Sequence, residues 1–427
     1  MMDCKKITSS YSRFVPHQLI DLLGKKNIMD LQLGDQVEKK ISILFCDIRN
    51  FTCLSETMTP QENFNFINSF LSQMVPLISV NDGIVDKFIG DCIMAIFPGR
   101  ADDSLNCALQ MLKQLRFYNE GRERAGYNPI RIGIGINTGL AMIGTVGGFN
   151  RMEGTVISDA VNLASRMESL TKSYDVDLMI SENTYNNIGD TFKHFMRFID
   201  RTQVKGKLQP QSIYEVFAED TPEKRQTKLI NKSLFEEALA YYHLRETIAS
   251  ERLLTQYLKT GVDDPPAQIY LERCKNFTQN GMHQGAYELD HQIQWSNMFQ
   301  INEPVIDAQH KKLVESSLEL IEIATDAHRS VFVEKLTKLK QITIEHIHYE
   351  ESVMAKTDYP FLSHQKEQHR YLTNEFTKLE REAVDTSISM PFLTFKTQIV
   401  IVDWLINHTL REDRHLGRHL LAAGDNG

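Results

Sequence analysis

Two groups of residues in this 427-residue chain have types and spacings that could do chemistry. The first is a pair of aspartates. Asp47 ends an apolar run within Phe45-Cys46-Asp47-Ile48-Arg49-Asn50-Phe51-Thr52, and Asp91 sits in a tight Gly90-Asp91 turn that follows Lys87-Phe88-Ile89. Either aspartate alone reads as a turn residue. Carboxylates brought together at neighbouring strand ends can hold Mg²⁺, a hard ion that takes oxygen ligands and leaves room for nucleotide phosphates. Two such ions stabilise the attacking and leaving oxygens of an in-line displacement. The second group is made of histidines. Of the 14 in the chain, 11 lie at or after His283, which is not how scattered surface histidines fall. Within that region His346 and Glu350 are four residues apart, so a helix puts both on one face. Imidazole suits iron and a carboxylate can bridge two ions, the chemistry of metal sites inside helical bundles. His348, two residues from His346, points off that face.

Elements must hold these groups in place. Ile41–Phe45 reads as a strand, and Gln61–Val80 as a helix with Phe64, Ile67, Phe70, Leu71 and Met74 at spacings of three and four. Ile84–Phe97 reads as two strands meeting at Gly90-Asp91, and Ile130–Asn137 as another. This alternation predicts an α+β domain over 37–220, preceded by an amphipathic lead-in over 1–36. Leu234–Phe277 reads as helical with a break at Asp263-Asp264-Pro265-Pro266. It has the proportions of one TPR-like hairpin without a second copy, and it forms a linker over 221–289. Helical periods then run through 290–427, interrupted near Thr325–Arg329, Asp358–Leu362 and Val384–Pro391, which predicts an all-α bundle of three or four helices. The fold class is multidomain.

The net charge of −9 disfavours a nucleic-acid partner, which selects for a basic face. No stretch approaches the ~20 uncharged apolar residues that cross a bilayer. The most apolar C-terminal run, Ile399–Ile406, is interrupted by Asp403. Met1–Ser10 carries lysines without a following hydrophobic region, so no signal peptide is expected. Six scattered cysteines without a CxxC pair fit a reducing compartment. The expectation is a cytoplasmic protein with no membrane span.

The segments FCDIRNFT, DKFIGDCIMAIF, SDAVNLASRME and VKGK, in that order over roughly Leu33–Phe217, resemble the signature segments of class III nucleotidyl cyclases. The resemblance implies a ferredoxin-like core in which Asp47 and Asp91 hold two Mg²⁺ or Mn²⁺ ions per active site, helped by the backbone carbonyl of Ile48. It implies that Asn162 and Arg166, four apart, steady the transition state; a planar, always protonated guanidinium suits charge building on phosphoryl oxygens. Lys205, or less readily Lys207, would reach the triphosphate. In this family two positions read the purine edge, Lys with Thr or Asp in adenylyl cyclases and Glu with Cys or Ser in guanylyl cyclases. Here they are Lys87 and Thr155. A lysine donates to the adenine ring nitrogen, and a threonine hydroxyl can accept from the exocyclic amine. The implied reaction converts ATP to 3′,5′-cyclic AMP and diphosphate. Because the family's metal aspartates and its other site residues come from different protomers, a head-to-tail homodimer is also implied. The segment departs from the pattern at Ser158, where relatives usually carry glycine.

Trp295, IDAQHKKL, EHIHYEESVM, the Tyr359-Pro360 pair, a histidine pair and WLINHTLREDRHL resemble the hemerythrin family over roughly Gln294–Leu420. This resemblance implies a four-helix bundle with a di-iron centre held by His310, His346, Glu350, His364, His369, His408 and Asp413, Glu350 and Asp413 bridging. The family's histidine pair is four apart, whereas His364 and His369 are five apart and Gln365 stands at the expected place. On a regular helix five residues turn a side chain by about 140°, against about 40° for four. His364 reaches a metal only if it lies in an irregular first turn. Together the resemblances imply an adenylyl cyclase whose output follows O₂ or redox state at the iron. Two alternatives are an O₂- or metal-binding protein with a degenerate cyclase module, and a guanylyl cyclase, which Lys87 and Thr155 disfavour.

Overall fold

The computed structural model describes residues 17–148, 151–203, 210–280, 299–326 and 329–424. Lys205, Lys207 and Trp295, and residues 1–16 of the lead-in, lie outside them. The chain divides into a sheet unit and a helical unit. The stretch 221–289, read from sequence as one linker, is shared between them: 231–259 pack with the helical unit and 260–269 with the sheet unit.

The sheet has eight strands: β1 (Gln36–Ile48), β2 (Ile84–Ile89), β3 (Cys92–Phe97), β4 (Ile132–Gly148), β5 (Arg151–Ile157), β6 (Leu178–Ser181), β7 (Met196–Gln203) and β8 (Pro210–Val216). Their order is β2-β3-β1-β4-β6-β8-β7, with β5 on β4. β1 is antiparallel to both β3 and β4. Six consecutive residues of β1, Ile41–Cys46, are buried, as a strand covered on both faces requires. β4 runs well beyond the predicted Ile130–Asn137. Ile134–Ile136 pair in parallel with β6, while Met142–Gly148 form a hairpin with β5. One strand therefore serves two neighbours along its length.

Helix α1 (Pro60–Val80) starts at a capping box: the Glu62 N–H donates to Thr59 Oγ1, and the Thr59 N–H donates to the Glu62 carboxylate at 2.8 Å. Its buried stripe is Phe66, Phe70, Met74 and Ile78, a strict spacing of four, so Phe64 faces solvent instead of the core. Helices α2 (Ala101–Arg124) and α3 (Asp159–Ser173) pack on the sheet. Ile41, Ile43 and Phe45 of β1 meet Ala160 and Ala164 of α3. Ser158 caps α3, its Oγ accepting from the Ala160 N–H at 3.0 Å and donating to the Leu140 carbonyl at 2.6 Å. At φ −172° its backbone is extended, so the absence of glycine there costs nothing.

A buried ion network closes this unit. Arg197 of β7 donates to Glu215 of β8 at 2.6 Å and, through both terminal nitrogens, to Asp264 at 2.6 and 2.7 Å. Lys228 donates to the other Glu215 oxygen at 2.5 Å and pairs with Asp220 at 2.7 Å. Each buried charge therefore has opposite charges at contact distance, the condition under which burial is tolerated.

In the helical unit α4 (Lys232–His243) and α5 (Thr247–Leu258) form a hairpin. After a helix at Pro265–Asn280, four helical stretches follow among the described residues: α6 (Pro304–Asp326), α7 (Arg329–Lys356), α8 (Leu362–Val384), and a segmented fourth made of α9 (Met390–Thr397), α10 (Asp403–His408) and α11 (Arg414–Gly424). The segments are joined by π-helical turns at Gln398–Val402 and Thr409–Asp413. Leu313, Leu320, Phe332, Leu336, Leu339, Leu372, Phe376, Leu393 and Leu405 build the core between them. No described helix is long and apolar enough to cross a membrane.

Gly135 of β4 allows α3 to lie close on the sheet, since a Cβ there would stand 2.0 Å from the Glu168 backbone nitrogen and 2.6 Å from the Met167 carbonyl carbon. Gly135→Ala should destabilise the chain by roughly 1–3 kcal/mol in urea unfolding. Gly148→Ala, with nothing within 4 Å, should leave the midpoint in place. Equal midpoints for both variants would show that the helix does not sit that close.

Candidate functional site

β1 carries Asp47 to the end of the sheet, and the β2–β3 turn carries Asp91 beside it, because Cys46 pairs with Ile93. Gly90 takes φ +66°, which lets the two-residue turn close. The backbone N–H of Ile48 donates to Asp91 Oδ2 at 3.2 Å. Burial and then the Asp91 carboxylate push Asp47 up to about 7, with Glu168 adding to the rise and the Ile48 backbone opposing it. A half-buried carboxylate pair in this state gains from a dication, which removes both the repulsion and the proton.

The second pair meets in the same unit. Lys87 Nζ donates to Thr155 Oγ1 at 2.8 Å, and the Thr155 hydroxyl donates to Asp86 Oδ2 at 3.3 Å. Lys87 also stands 3.4 Å from Asp86 and 3.5 Å from Glu153. The β2–β3 register slips between Val85 and Lys87, leaving Asp86 without a partner residue on β3. A bulge of this kind lets successive residues turn toward the same neighbour, and so Asp86 and Lys87 both reach Thr155. Asp86 was not singled out from sequence; the only signal for it is an acid preceding a lysine in an apolar strand. Asn162 and Arg166 lie four apart on α3, the first exposed and the second half-buried. Lys205 falls outside the described residues.

The histidines gather in the helical unit. His310 of α6, His346 of α7 and Asp413 form one buried triad; Glu350 of α7, His369 of α8 and His408 form a second, each with ligand atoms within 4.8 Å of one another. His310 Nε2 is 3.2 Å and His408 Nε2 3.1 Å from Asp413. His369 Nε2 is 3.2 Å from Glu350 and 3.1 Å from His408 Nε2. Three imidazoles have an outward partner on Nδ1: the Phe299 carbonyl for His310, Gln309 Oε1 for His346 and Glu351 Oε1 for His369, at 3.3, 3.2 and 3.0 Å. Such bonds fix the ring and aim Nε2 inward. Both oxygens of Glu350 and of Asp413 are buried without a hydrogen bond of normal geometry. Burial and the Asp413 charge raise Glu350. Against burial, His408 and His310 hold Asp413 well below the ordinary range. This set of imidazoles and orphaned carboxylates fits a pair of first-row transition-metal ions.

The backbone contributes a device that spacing alone does not reveal. His408 and Asp413 are five apart, yet the π-helical turn Thr409–Asp413 returns residue i+5 to the face of residue i. His364 corrects the sequence reading. Its side chain is 53% exposed and its nearest carboxylate is Glu412 at 3.9 Å, because a regular α8 turns it away from His369. Gln365 occupies the buried position instead. His348 is exposed, as its spacing requires.

Residues 33–217 match the family described as adenylate and guanylate cyclase catalytic domain. The chain is similar to an adenylate cyclase of Anabaena cylindrica, 41% identical over 220 residues, which is 50% of this chain and 44% of that protein. It is also similar to the terminal-differentiation specific adenylate cyclase of Dictyostelium discoideum, 36% identical over 286 residues, covering 63% of this chain and 13% of the relative. That match exceeds the domain together with everything before it, so the likeness continues into the helices after residue 217. A crystal structure of the adenylyl cyclase CyaB from P. aeruginosa matches 42% of this chain and 95% of its own at 32% identity and a TM-score of 0.39. The chain thus spans less than half the length of either curated relative.

With its carboxyl raised from 3.8 to about 7, Asp47 holds a proton in the folded, metal-free chain through the window between those values. That proton favours folding at acid pH, and the advantage is lost as pH rises toward 7. An Mg²⁺ ion bound at Asp47 would have to displace it. Calorimetric Mg²⁺ binding should release about one proton per site at pH 6 and little at pH 8, with affinity several-fold weaker at pH 6. Asp47→Ala removes the signal. A proton release that does not change with pH would refute the raised Asp47.

Proposed function

We propose that this chain is an adenylate cyclase that converts ATP to 3′,5′-cyclic AMP and diphosphate, under the control of a metal centre in its helical unit. The observation that carries the catalytic reading is the Lys87–Thr155 hydrogen bond held in place by Asp86, a purine-reading pair built for adenine. A bound divalent pair on Asp47 and Asp91 would supply Lewis-acid stabilisation of the attacking 3′-oxygen and the departing diphosphate. Lys87 donates to the adenine ring nitrogen. The Thr155 hydroxyl, with Asp86 beside it, meets the exocyclic amine. Arg166 and Asn162 face the charge that builds on the phosphoryl oxygens, and Lys205 meets the triphosphate. Asp47 and Asp91 of one protomer work with the remaining residues of the other in a head-to-tail homodimer with two equivalent sites. The adenylate cyclase names of the Anabaena and Dictyostelium relatives agree with this reading.

For the helical unit, the two buried triads support a di-iron centre that His310, His346, Glu350, His369, His408 and Asp413 would hold. Bound iron would supply O₂ binding or electron exchange, and this chain's residues set who may enter. The inward Nε2 atoms select a transition metal over Mg²⁺, and full burial keeps bulk water from the ions.

Supplied with Mg²⁺ or Mn²⁺, the purified chain should form cyclic AMP from ATP in clear preference to cyclic GMP from GTP. Lys87→Glu should cut ATP use about tenfold to a hundredfold, the cost of an unpaired polar contact at the base. Asp47→Ala should abolish turnover with the dimer intact. One iron-loaded preparation, assayed anaerobically after reduction and again in air, should show rates that differ several-fold. No product in either state would leave a degenerate module with a metal-binding bundle, and equal rates would remove the O₂ or redox control.

A further inference from the structure

We infer that Gln365, through its side-chain carbonyl oxygen, is the fourth protein donor to the ion held by Glu350, His369 and His408, and that His364 is no ligand. The inference rests on the helical unit holding a metal pair, as proposed above. Gln365 lies on α8 four residues before His369, so the two side chains follow each other along one face of the helix. It is fully buried, and neither its amide nitrogen nor its amide oxygen has a hydrogen-bond partner. A buried primary amide with neither end satisfied is rare, because the group loses its water without compensation. The other orphaned groups include His310 Nε2 and both carboxylates of the histidine cluster, Glu350 and Asp413. An apolar side chain would fill the same space in the α8 face at no such cost, so the amide is best explained by a partner that enters with the metal.

His364 has the opposite surroundings. One residue earlier, it is rotated by about 100° from Gln365. It is half in solvent, near Glu412 on the surface side. An amide oxygen is a neutral, hard donor, whereas imidazole is the softer nitrogen donor that iron and zinc favour. With oxygen at this place, the ion beside Glu350 is held less tightly than a third imidazole would hold it.

The test uses the full chain, stripped with a chelator and reloaded anaerobically with Fe²⁺. Iron per chain is counted, the affinity of each ion is read against a chromophoric chelator, and the visible spectrum is recorded. Gln365→Leu should weaken the second ion at least several-fold and move the spectrum. Gln365→His should tighten that ion several-fold, and His364→Ala should change neither quantity. The metal-free Gln365→Leu chain should melt no lower than the parent, since it loses only an unsatisfied amide. Wild-type affinity for both ions in Gln365→Leu would overturn the assignment, as would loss of the second ion in His364→Ala. If the parent chain itself takes up no iron, the metal-centre reading falls, and this inference with it.

Discussion

A carboxylate withdrawn from water keeps its charge only beside a cation or enough donors, and two places in this chain break that balance in the same way. Asp47 and Asp91 share a strand end with one backbone N–H between them, and Asp47 answers by holding its proton up to about 7. Glu350 and Asp413 share the interior of a helical bundle, where one is driven toward the neutral form and the other kept ionised by imidazoles. Elsewhere the chain balances buried charge with care. The network of Arg197, Glu215, Lys228 and Asp264 gives every buried group an opposite charge at contact distance. A chain able to do this in one place and not in another has sites that a cation would complete.

In each unit, irregular backbone delivers some of the groups that meet. The bulge in β2 turns Asp86 and Lys87 toward the same hydroxyl, which a regular strand would prevent by pointing them to opposite faces. The π-helical turn after His408 brings Asp413 back onto its face. Regular elements then fix what the irregular ones present. β1 is buried on both faces, and α3 lies against β4 at a distance that only glycine at 135 permits. The irregularity is local and the support is broad, as expected where positioning matters.

Much of this was legible in the sequence because it follows from period and spacing. The strand with Asp47, the Gly90-Asp91 turn, the α1 helix and the breaks in the helical region all announce themselves by apolar rhythm and by turn residues. What escaped is what depends on the third dimension. Phe64 looked like core at helical spacing, but the buried stripe of α1 follows steps of four from Phe66. β4 extends because its second half finds β5, a partner that no property of residues 138–148 foretells. Asp86 has no spacing signature, because its role comes from a skipped residue in the ladder. The five-residue step already made His364 depend on an irregular first turn, and α8 is regular there. On a regular helix direction outranks type, and glutamine holds the inward place.

The two sites also differ in access, so ions held at them would behave differently. Asp47 and Asp91 are half-buried at a sheet end, where ions bound there could come and go with a nucleotide's phosphates. Glu350 and Asp413 are wholly buried, and three of the four cluster imidazoles are tethered from outside through Nδ1. An ion there could leave only if helices parted, at the cost of stranding two carboxylates among imidazoles. Oxygen ligands at an open edge suit a metal that travels with substrate. Imidazoles in a closed core suit one that stays through many turnovers, and only a resident ion can report on a slower signal than the supply of nucleotide.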